Sequence, residues 1–146
     1  MKVTTYLTVP TSFEEALARL QEWSEGEQEM GLGFVFTETD GLGVLVIDDC
    51  VEPDGTLAPL VRTWVDILDT YTEYDPSGKS ILILCHTDLK GITDQKFGEF
   101  EARYIFSGGW AAMTGNRVPG TSSEIRAKVI EGPDGSPMFR VAPPAP

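Results

Sequence analysis

The fold is decided by two apolar runs, Val44-Leu45-Val46-Ile47-Asp48-Asp49-Cys50 and Ile81-Leu82-Ile83-Leu84-Cys85-His86. Each run is short and continuous, without the alternation of a half-buried strand, which is typical of strands covered on both faces of a sheet. Between them, residues 58–74 space their apolar side chains one, three and four positions apart, as on one face of a helix. Those side chains are Leu60, Val61, Trp64, Ile67, Leu68 and Tyr71. The pattern predicts a parallel βαβ unit, with strands near 44–49 and 80–86 and a right-handed crossover.

Two further helices are predicted outside this unit. Ser12 and Glu15 have the spacing of a capping box, so a helix is expected over 12–25. A third helix is expected over 94–106 from the spacing of its apolar residues, although Gly98 lies within it and disfavours it.

Strands account for much of the remaining sequence. Residues 2–9 read as an opening strand, and residues 33–37 are expected to form an antiparallel hairpin with the first apolar run, across an Asp-Gly turn signal. A C-terminal hairpin is predicted from residues 124–130 and 138–141.

These elements predict an α/β or α+β fold with a mixed sheet of about five to six strands. The length favours a single globular domain over 1–141, followed by an extended Pro-rich tail at 142–146. The Gly-rich stretch 107–123, around Trp110, is expected to be a long loop, and loops of that length are often functional.

The net charge of −12 is unevenly distributed along the chain. Residues 1–75 carry sixteen acidic and three basic side chains, a charge of −13, whereas residues 76–146 carry seven and eight, a charge of +1. Such a field repels nucleic acids and anionic membranes and attracts basic surfaces. We therefore expect no direct binding of nucleic acid or membrane.

The leading hypothesis is a non-enzymatic acidic protein that docks on a basic surface of a partner protein, with no cofactor. Immunity proteins against toxins and anti-defence inhibitors that block the basic cleft of a nucleic-acid enzyme have this character. The expected contact residues lie on the first helix, just after it, and on the outer side of the crossover helix. They are Glu14, Glu15, Glu22, Glu25, Glu27, Glu29, Asp66, Asp69 and Glu73.

The alternative hypothesis is a small enzyme or ligand-binding protein. Ligands of open α/β sheets bind beyond the carboxyl ends of the strands, and both predicted central strands end in residues capable of chemistry. These are Asp48, Asp49, Cys50, Cys85, His86 and Asp88. Carboxylates, a thiol and the only histidine suit acid–base work, but a strand-end Cys is also a common core residue and a strand-end Asp a common loop cap. A single histidine excludes zinc sites that need two or three imidazoles within one chain.

A third hypothesis is self-assembly into a homo-oligomer, in which the acidic first half pairs with cations of a neighbouring copy. Those cations are Arg117, Arg126, Lys128 and Arg140. Neither a signal peptide nor a membrane span is visible, so a cytoplasmic protein with reduced thiols is expected. A disulfide between Cys50 and Cys85 remains open, because the two residues end strands that are predicted to be neighbours.

Overall fold

The computed structural model describes residues 32–140, of which 45% are in strands and 9% are helical. The expectation of an α/β or α+β fold with two to three helices is therefore wrong, because the described residues are mostly β and contain one helix. The elements are β1 (Leu32–Phe36), β2 (Leu42–Ile47), α1 (Pro59–Leu68), β3 (Thr72–Tyr74), β4 (Ile81–Thr87), β5 (Ile92–Phe97), β6 (Phe100–Ile105), β7 (Gly109–Met113), β8 (Lys128–Glu131) and β9 (Pro137–Arg140).

Seven strands form the main sheet, in the order β5-β6-β2-β4-β8-β9, with β3 also paired to β4. Its pairs are antiparallel except β4–β8, which is parallel at His86–Lys128 and Thr87–Val129. The sheet is curled. The rings of Tyr104 on β6 and Phe139 on β9 are 5.9 Å apart, whereas four strand spacings in a flat sheet would separate them by about 19 Å.

The two central strands were correctly predicted as strands, but the parallel βαβ unit is wrong. β2 and β4 are antiparallel neighbours, in a register that pairs Leu42 with His86 and Ile47 with Ile81. The strand β3 lies between α1 and β4 and is antiparallel to β4. The crossover therefore joins β2 to β3, and the chain then reverses once more before β4 begins.

The predicted helix 58–74 ends early. Pro59 occupies the first turn of α1, where its missing N–H costs nothing. At the other end Asp69 adopts the left-handed conformation, with φ of 44°, and its N–H donates to the Val65 carbonyl at 3.1 Å. This C-cap turns the chain into β3, where Thr72 and Glu73 are buried in the sheet.

The predicted helix 94–106 is also wrong, because this segment forms the β5–β6 hairpin. Phe97 pairs with Phe100 across a two-residue turn. Gly98 occupies the first turn position with φ of 62°, a conformation that favours glycine over side-chain-bearing residues. The glycine that disfavoured a helix therefore reverses the strand.

The predicted hairpin between residues 33–37 and the first apolar run does not form. β1 instead pairs antiparallel with β7 in a separate two-stranded sheet. The long loop expected over 107–123 thus contains a strand, which pairs Trp110 with Val35.

The main sheet is covered on both faces, which explains the continuous apolar runs. One face packs Leu45 and Ile83 against α1, which contributes the buried side chains of Val61, Val65 and Leu68. On the other face, Val44 and Leu84 pack with Phe36 of β1 and Ala111 of β7. Alternate residues of β2 and β4 therefore enter two different cores.

The C-terminal hairpin is confirmed, as β8 and β9 are antiparallel across residues 132–136. The predicted strand 2–9, the helix 12–25 and the tail 142–146 lie outside the described residues. Of residues 32–140, no helix has the length and apolar character needed to cross a membrane.

Candidate functional site

The strand-end site of the alternative hypothesis does not assemble in this topology. His86 lies opposite Leu42, the first residue of β2, whereas Asp48 and Asp49 follow the last residue of that strand. Six residues of extended strand separate the two ends by about 20 Å. The carboxylates and the imidazole therefore lie at opposite ends of the sheet, and no pocket holds them together.

His86 is exposed and bound to the loop before β8. Its Nε2 lies 3.0 Å from the Ile125 carbonyl. Because a carbonyl only accepts, Nε2 is the donor in this bond. The nearby Asp88 lies 3.5 Å from the Lys128 ammonium, and both side chains are at least half exposed. This end of the sheet therefore presents a structural histidine and a surface ion pair.

The two cysteines are free and buried, so no disulfide joins them. Burial raises the pKa of Cys50 to about 11 and that of Cys85 to about 12. At neutral pH both are thiols and poor nucleophiles, because the thiolate is the reactive form. No group of three or more His, Cys, Asp or Glu side chains suited to a metal ion occurs between residues 32 and 140.

The acidic side chains expected on the outer side of the crossover helix have three different environments. Asp66 lies 2.9 Å from Arg62, and Asp69 lies 2.8 Å from Arg126, so both exposed charges are matched within the chain. Glu73 lies on β3 and is completely buried, so its placement on an outer helical face is wrong. The predicted contacts Glu14, Glu15, Glu22, Glu25, Glu27 and Glu29 lie outside the described residues.

The Glu73 carboxylate is held by the loop that follows β7. Its Oε2 accepts hydrogen bonds from the backbone N–H groups of Thr114 and Gly115, at 2.5 and 3.2 Å, and lies 2.7 Å from the Thr114 hydroxyl. Its Oε1 accepts from the Tyr71 hydroxyl at 3.0 Å. Burial and this bond raise the pKa of Tyr71 to about 12. We call Glu73, Tyr71, Thr114 and Gly115 the Glu73 clamp.

The strongest candidate site is a group of carboxylates at the end of the sheet where β2 finishes and β4 begins. We call it the acidic end, and it consists of Asp48, Asp49, Glu52, Asp54 and Asp75. The antiparallel register creates it, because pairing Ile47 with Ile81 places the turn after β2 beside the turn before β4. Within the described part of the chain, none of the five makes an ion pair.

Two carboxylates of the acidic end act on a third, Asp48. The pKa of Asp48 is raised by partial burial and then by the neighbouring charges of Asp49 and Asp75, and Arg103 offsets only part of this effect. Arg103 is itself held by Asp94, with Nε 2.6 Å from Oδ1. The acidic end thus concentrates negative charge at a cost to the folded state.

A shallow cleft of about 450 Å³ adjoins the acidic end. It is lined by Asp49, Val51, Glu52, Pro53, Gly55, Gly78 and Lys79. Two hydrogen bonds close its loop, since the Glu52 N–H donates to the Thr56 carbonyl at 2.7 Å, and the Asp54 carboxylate accepts from the Thr56 hydroxyl at 2.6 Å. These bonds from Thr56 lower the pKa of Asp54, so that carboxylate is stabilised in its charged form.

Much of the other described surface is balanced by ion pairs. They are Arg62–Asp66, Lys90–Glu38, Lys96–Glu101, Arg103–Asp94, Arg126–Asp69, Arg126–Glu124 and Lys128–Asp88. The acidic end therefore differs from its surroundings in carrying several carboxylates around one lysine, Lys79.

Sequence reasoning missed Glu52, Asp54 and Asp75 as site residues. They lie in turn signals, Glu52-Pro53-Asp54-Gly55 and Asp75-Pro76-Ser77-Gly78, which a parallel arrangement places at opposite ends of the sheet. The sequence did not reveal that the chain reverses at β3, which brings the two turns to the same end of the sheet. Comparisons of the chain with protein families and with curated proteins find no match.

Proposed function

We propose that this protein is a non-enzymatic binding protein that docks its acidic end on a basic surface of a partner protein. An inhibitor that covers the basic cleft of a nucleic-acid enzyme, in the manner of an immunity or anti-defence protein, is the fitting class. The carrying observation is that Asp48, Asp49 and Asp75 crowd together without a described ion pair, so the charge is available to a partner.

The charge of Asp48 is unfavourable in the folded state and makes no bond that compensates for it, and this supports the proposal. The raised pKa of Asp48 means that partial burial, and after it the charges of Asp49 and Asp75, disfavour its charged form, and neither its carboxylate nor that of Asp49 accepts a hydrogen bond from another described residue. Basic side chains of a partner would relieve the repulsion and gain Coulomb energy at the same time. Binding is thus the state in which these charges are stabilised.

The two other hypotheses have less support. The enzyme hypothesis needs Asp48, Asp49 and His86 in one site, and the β2–β4 register separates them. The self-assembly hypothesis needs free cations, but two of its four, Arg126 and Lys128, are already engaged by Asp69 and Asp88. The distribution of charge therefore favours a basic partner of a different kind.

The test is a titration of the full chain with decalysine, a purely basic probe, followed by calorimetry and by NMR shifts of the backbone amides. We expect the double variant Asp48→Asn/Asp49→Asn to weaken binding about tenfold at low salt. The double variant Asp66→Asn/Asp69→Asn is the matched control, because it changes the net charge equally. Its charges are already paired, so we expect a change below about twofold.

The salt dependence of decalysine binding and the positions of the shifted amides decide whether the proposal is right. Binding at the acidic end should weaken steeply between about 50 and 200 mM salt, and the amide shifts should cluster around Asp48 and Glu52. Equal weakening by the two double variants would mean that the probe senses only net charge, and the proposal would then be wrong. Binding that does not respond to salt would contradict it as well.

A further inference from the structure

The two-stranded β1–β7 sheet is apolar on both of its faces. Its inner face packs against the main sheet through Phe36, which is buried. Its outer face consists of two cross-strand pairs, Val35 opposite Trp110 and Gly33 opposite Ala112, because side chains alternate between the faces of a strand. All four are apolar residues, and Val35 and Trp110 are 55% and 49% exposed. We call these four residues the outer face.

The composition of β1 and β7 is that of strands covered on both faces. A sheet with one face in water alternates apolar with polar residues, but β1 and β7 contain no charged or hydroxyl-bearing residue. The central strands β2 and β4 have the same continuous apolar pattern, and both of their faces are covered. We therefore expect a further layer on the outer face.

The size of the outer face restricts what can cover it. Two strands of five residues present a patch about 17 Å long and about 10 Å wide. A stable dimer buries about 800 Å² on each partner, which is several times the area of this patch. A single helix, about 10 Å in diameter, matches its width. The outer face therefore suits one helix better than a second copy of the chain.

The chain itself supplies a helix next to the outer face. The segment 12–25 lies outside the described residues, and its sequence predicts a helix with Leu17 and Leu20 on the apolar side. Residues 26–31 join this segment to Leu32, the first residue of β1. Six residues span at most about 20 Å. A tether this short raises the local concentration of the segment to the millimolar range, above that of any free partner.

The tether also distinguishes the outer face from the exposed apolar side chains of α1, which are Leu60, Trp64 and Ile67. α1 and the β1–β7 sheet pack on opposite faces of the main sheet. The segment 12–25 joins the described structure at Leu32, on the β1–β7 side. To reach α1 it would have to pass around an edge of the main sheet, so the outer face is the nearer surface.

We infer that the outer face is the docking surface of the chain's own segment 12–25, whose apolar side covers Val35 and Trp110 and whose polar side, with Glu15 and Glu22, faces solvent. A helix laid with its apolar side on a sheet is one of the standard ways in which both elements bury their apolar surfaces. The inference goes beyond the proposed function, because it involves neither the acidic end nor a partner protein.

The experiment places a nitroxide spin label on the polar side of the segment, at Glu22→Cys in the full chain. Cys50 and Cys85 are buried, so the label reacts at the introduced cysteine. The unpaired electron broadens the NMR signals of nearby protons. We expect loss of the Trp110 indole N–H signal, whereas the Trp64 signal on α1 should keep its intensity.

Leu17→Asp tests whether the apolar side of the segment makes the contact. A charge in place of a buried leucine should lower the docked fraction at least about tenfold, so the Trp110 signal should return. The matched control is Ala18→Asp, which places the same charge about 100° further around the helix, on its polar side. Trp110 should stay broadened in that variant, and equal recovery in both variants would overturn the inference.

A mixed sample distinguishes the chain's own segment from that of a second copy. A spin-labelled chain without NMR isotopes is mixed with an isotope-labelled chain that carries no spin label, so only contacts between copies broaden signals. Unchanged signals in this mixture, with loss of Trp110 in the singly labelled chain, support the inference. Broadening of Trp110 in the mixture would mean that a second copy supplies the segment, and the inference would be wrong.

Two further outcomes in the spin-labelled chain would also contradict the inference. Broadening of Trp64 instead of Trp110 would place the segment on α1. Full intensity of both indole signals would mean that the segment docks on neither surface, and the outer face would then be left to a different protein.

Discussion

Glu73 and Asp48 are carboxylates in opposite situations. Glu73 is completely buried, yet both of its oxygens accept hydrogen bonds from the clamp. Asp48 is exposed, yet its pKa is raised by partial burial and by the adjacent charges of Asp49 and Asp75. Burial therefore does not by itself identify the costly charge in this molecule. The number of hydrogen-bond donors that face each carboxylate identifies the costly charge.

Glu73 has a structural role, whereas Asp48 has the proposed binding role. The donors of the Glu73 clamp come from Tyr71, just before β3, and from the loop after β7, so Glu73 joins the main sheet to the two-stranded sheet that covers it. The Asp48 carboxylate joins nothing, and after partial burial the charges of Asp49 and Asp75 disfavour its ionised form. Removing the first carboxylate should damage the fold, whereas removing the second should improve it.

Glu73→Gln should give the largest effect, a loss of about 3 kcal/mol in the free energy of unfolding. The amide keeps the shape but replaces one acceptor oxygen with an NH₂ group. The amide oxygen can replace Oε2 and the NH₂ group can donate to the Tyr71 hydroxyl, but that hydroxyl must then turn from donor to acceptor, and the charge that strengthens the bonds from Thr114 and Gly115 is lost. Urea unfolding measures the loss, and Asp69→Asn on the exposed surface is the control, with an expected loss below about 0.5 kcal/mol. Similar losses for both variants would show that the clamp does not stabilise the fold.

Thr114→Ala should give a smaller effect, a loss of about 1 kcal/mol, because the backbone N–H groups of Thr114 and Gly115 still bind Glu73. The substitution removes the side-chain methyl group and the hydroxyl, which lies 2.7 Å from both Glu73 Oε2 and the Tyr74 carbonyl. Thr114→Ser keeps the hydroxyl and should recover most of the stability in the same urea experiment. If serine and alanine cost the same, the hydroxyl bond contributes nothing.

The clamp also shows where sequence reasoning stopped. The apolar runs of β2 and β4 correctly predicted strands covered on both faces. They did not determine strand direction, because a helix on one side and a two-stranded sheet on the other bury an antiparallel pair just as completely. The direction depended on β3, whose three residues lie inside the stretch 58–74 that was predicted to be helical.

The environment of each carboxylate depended on the helix, strand or turn in which it lies. Glu73 appeared to lie on the outer side of a long helix, and its burial follows from the left-handed turn at Asp69, a conformation that is uncommon for residues other than glycine. The excess of acidic residues before residue 75 was visible in the sequence. The grouping of Asp75 with Asp48 and Asp49 was not, since it is created by the register of β2 and β4.

Asp48→Asn should give the smallest effect, with the opposite sign to the clamp variants. Because the folded pKa of Asp48 is raised above its ordinary value of 3.8, the folded state binds the proton more tightly. Stability therefore falls as pH rises through that window, and the penalty is complete at neutral pH. Asparagine removes it. After allowance for solvent screening, we expect a gain of about 0.5 kcal/mol and a melting temperature higher by about 2 °C.

Asp54→Asn is the matched control for this sign, because it makes the same change of charge in the next loop. Bonds from Thr56 lower the pKa of Asp54, so its contribution to stability is present above its unfolded pKa and is lost as pH falls through its folded pKa. At neutral pH the asparagine variant should therefore melt lower than the parent chain, while Asp48→Asn melts higher. Thermal melts at pH 7 and near pH 2 test both signs, since both differences should disappear in acid. Destabilisation by Asp48→Asn at neutral pH would mean that the acidic end supports the fold, and its charges would then need no partner to explain them.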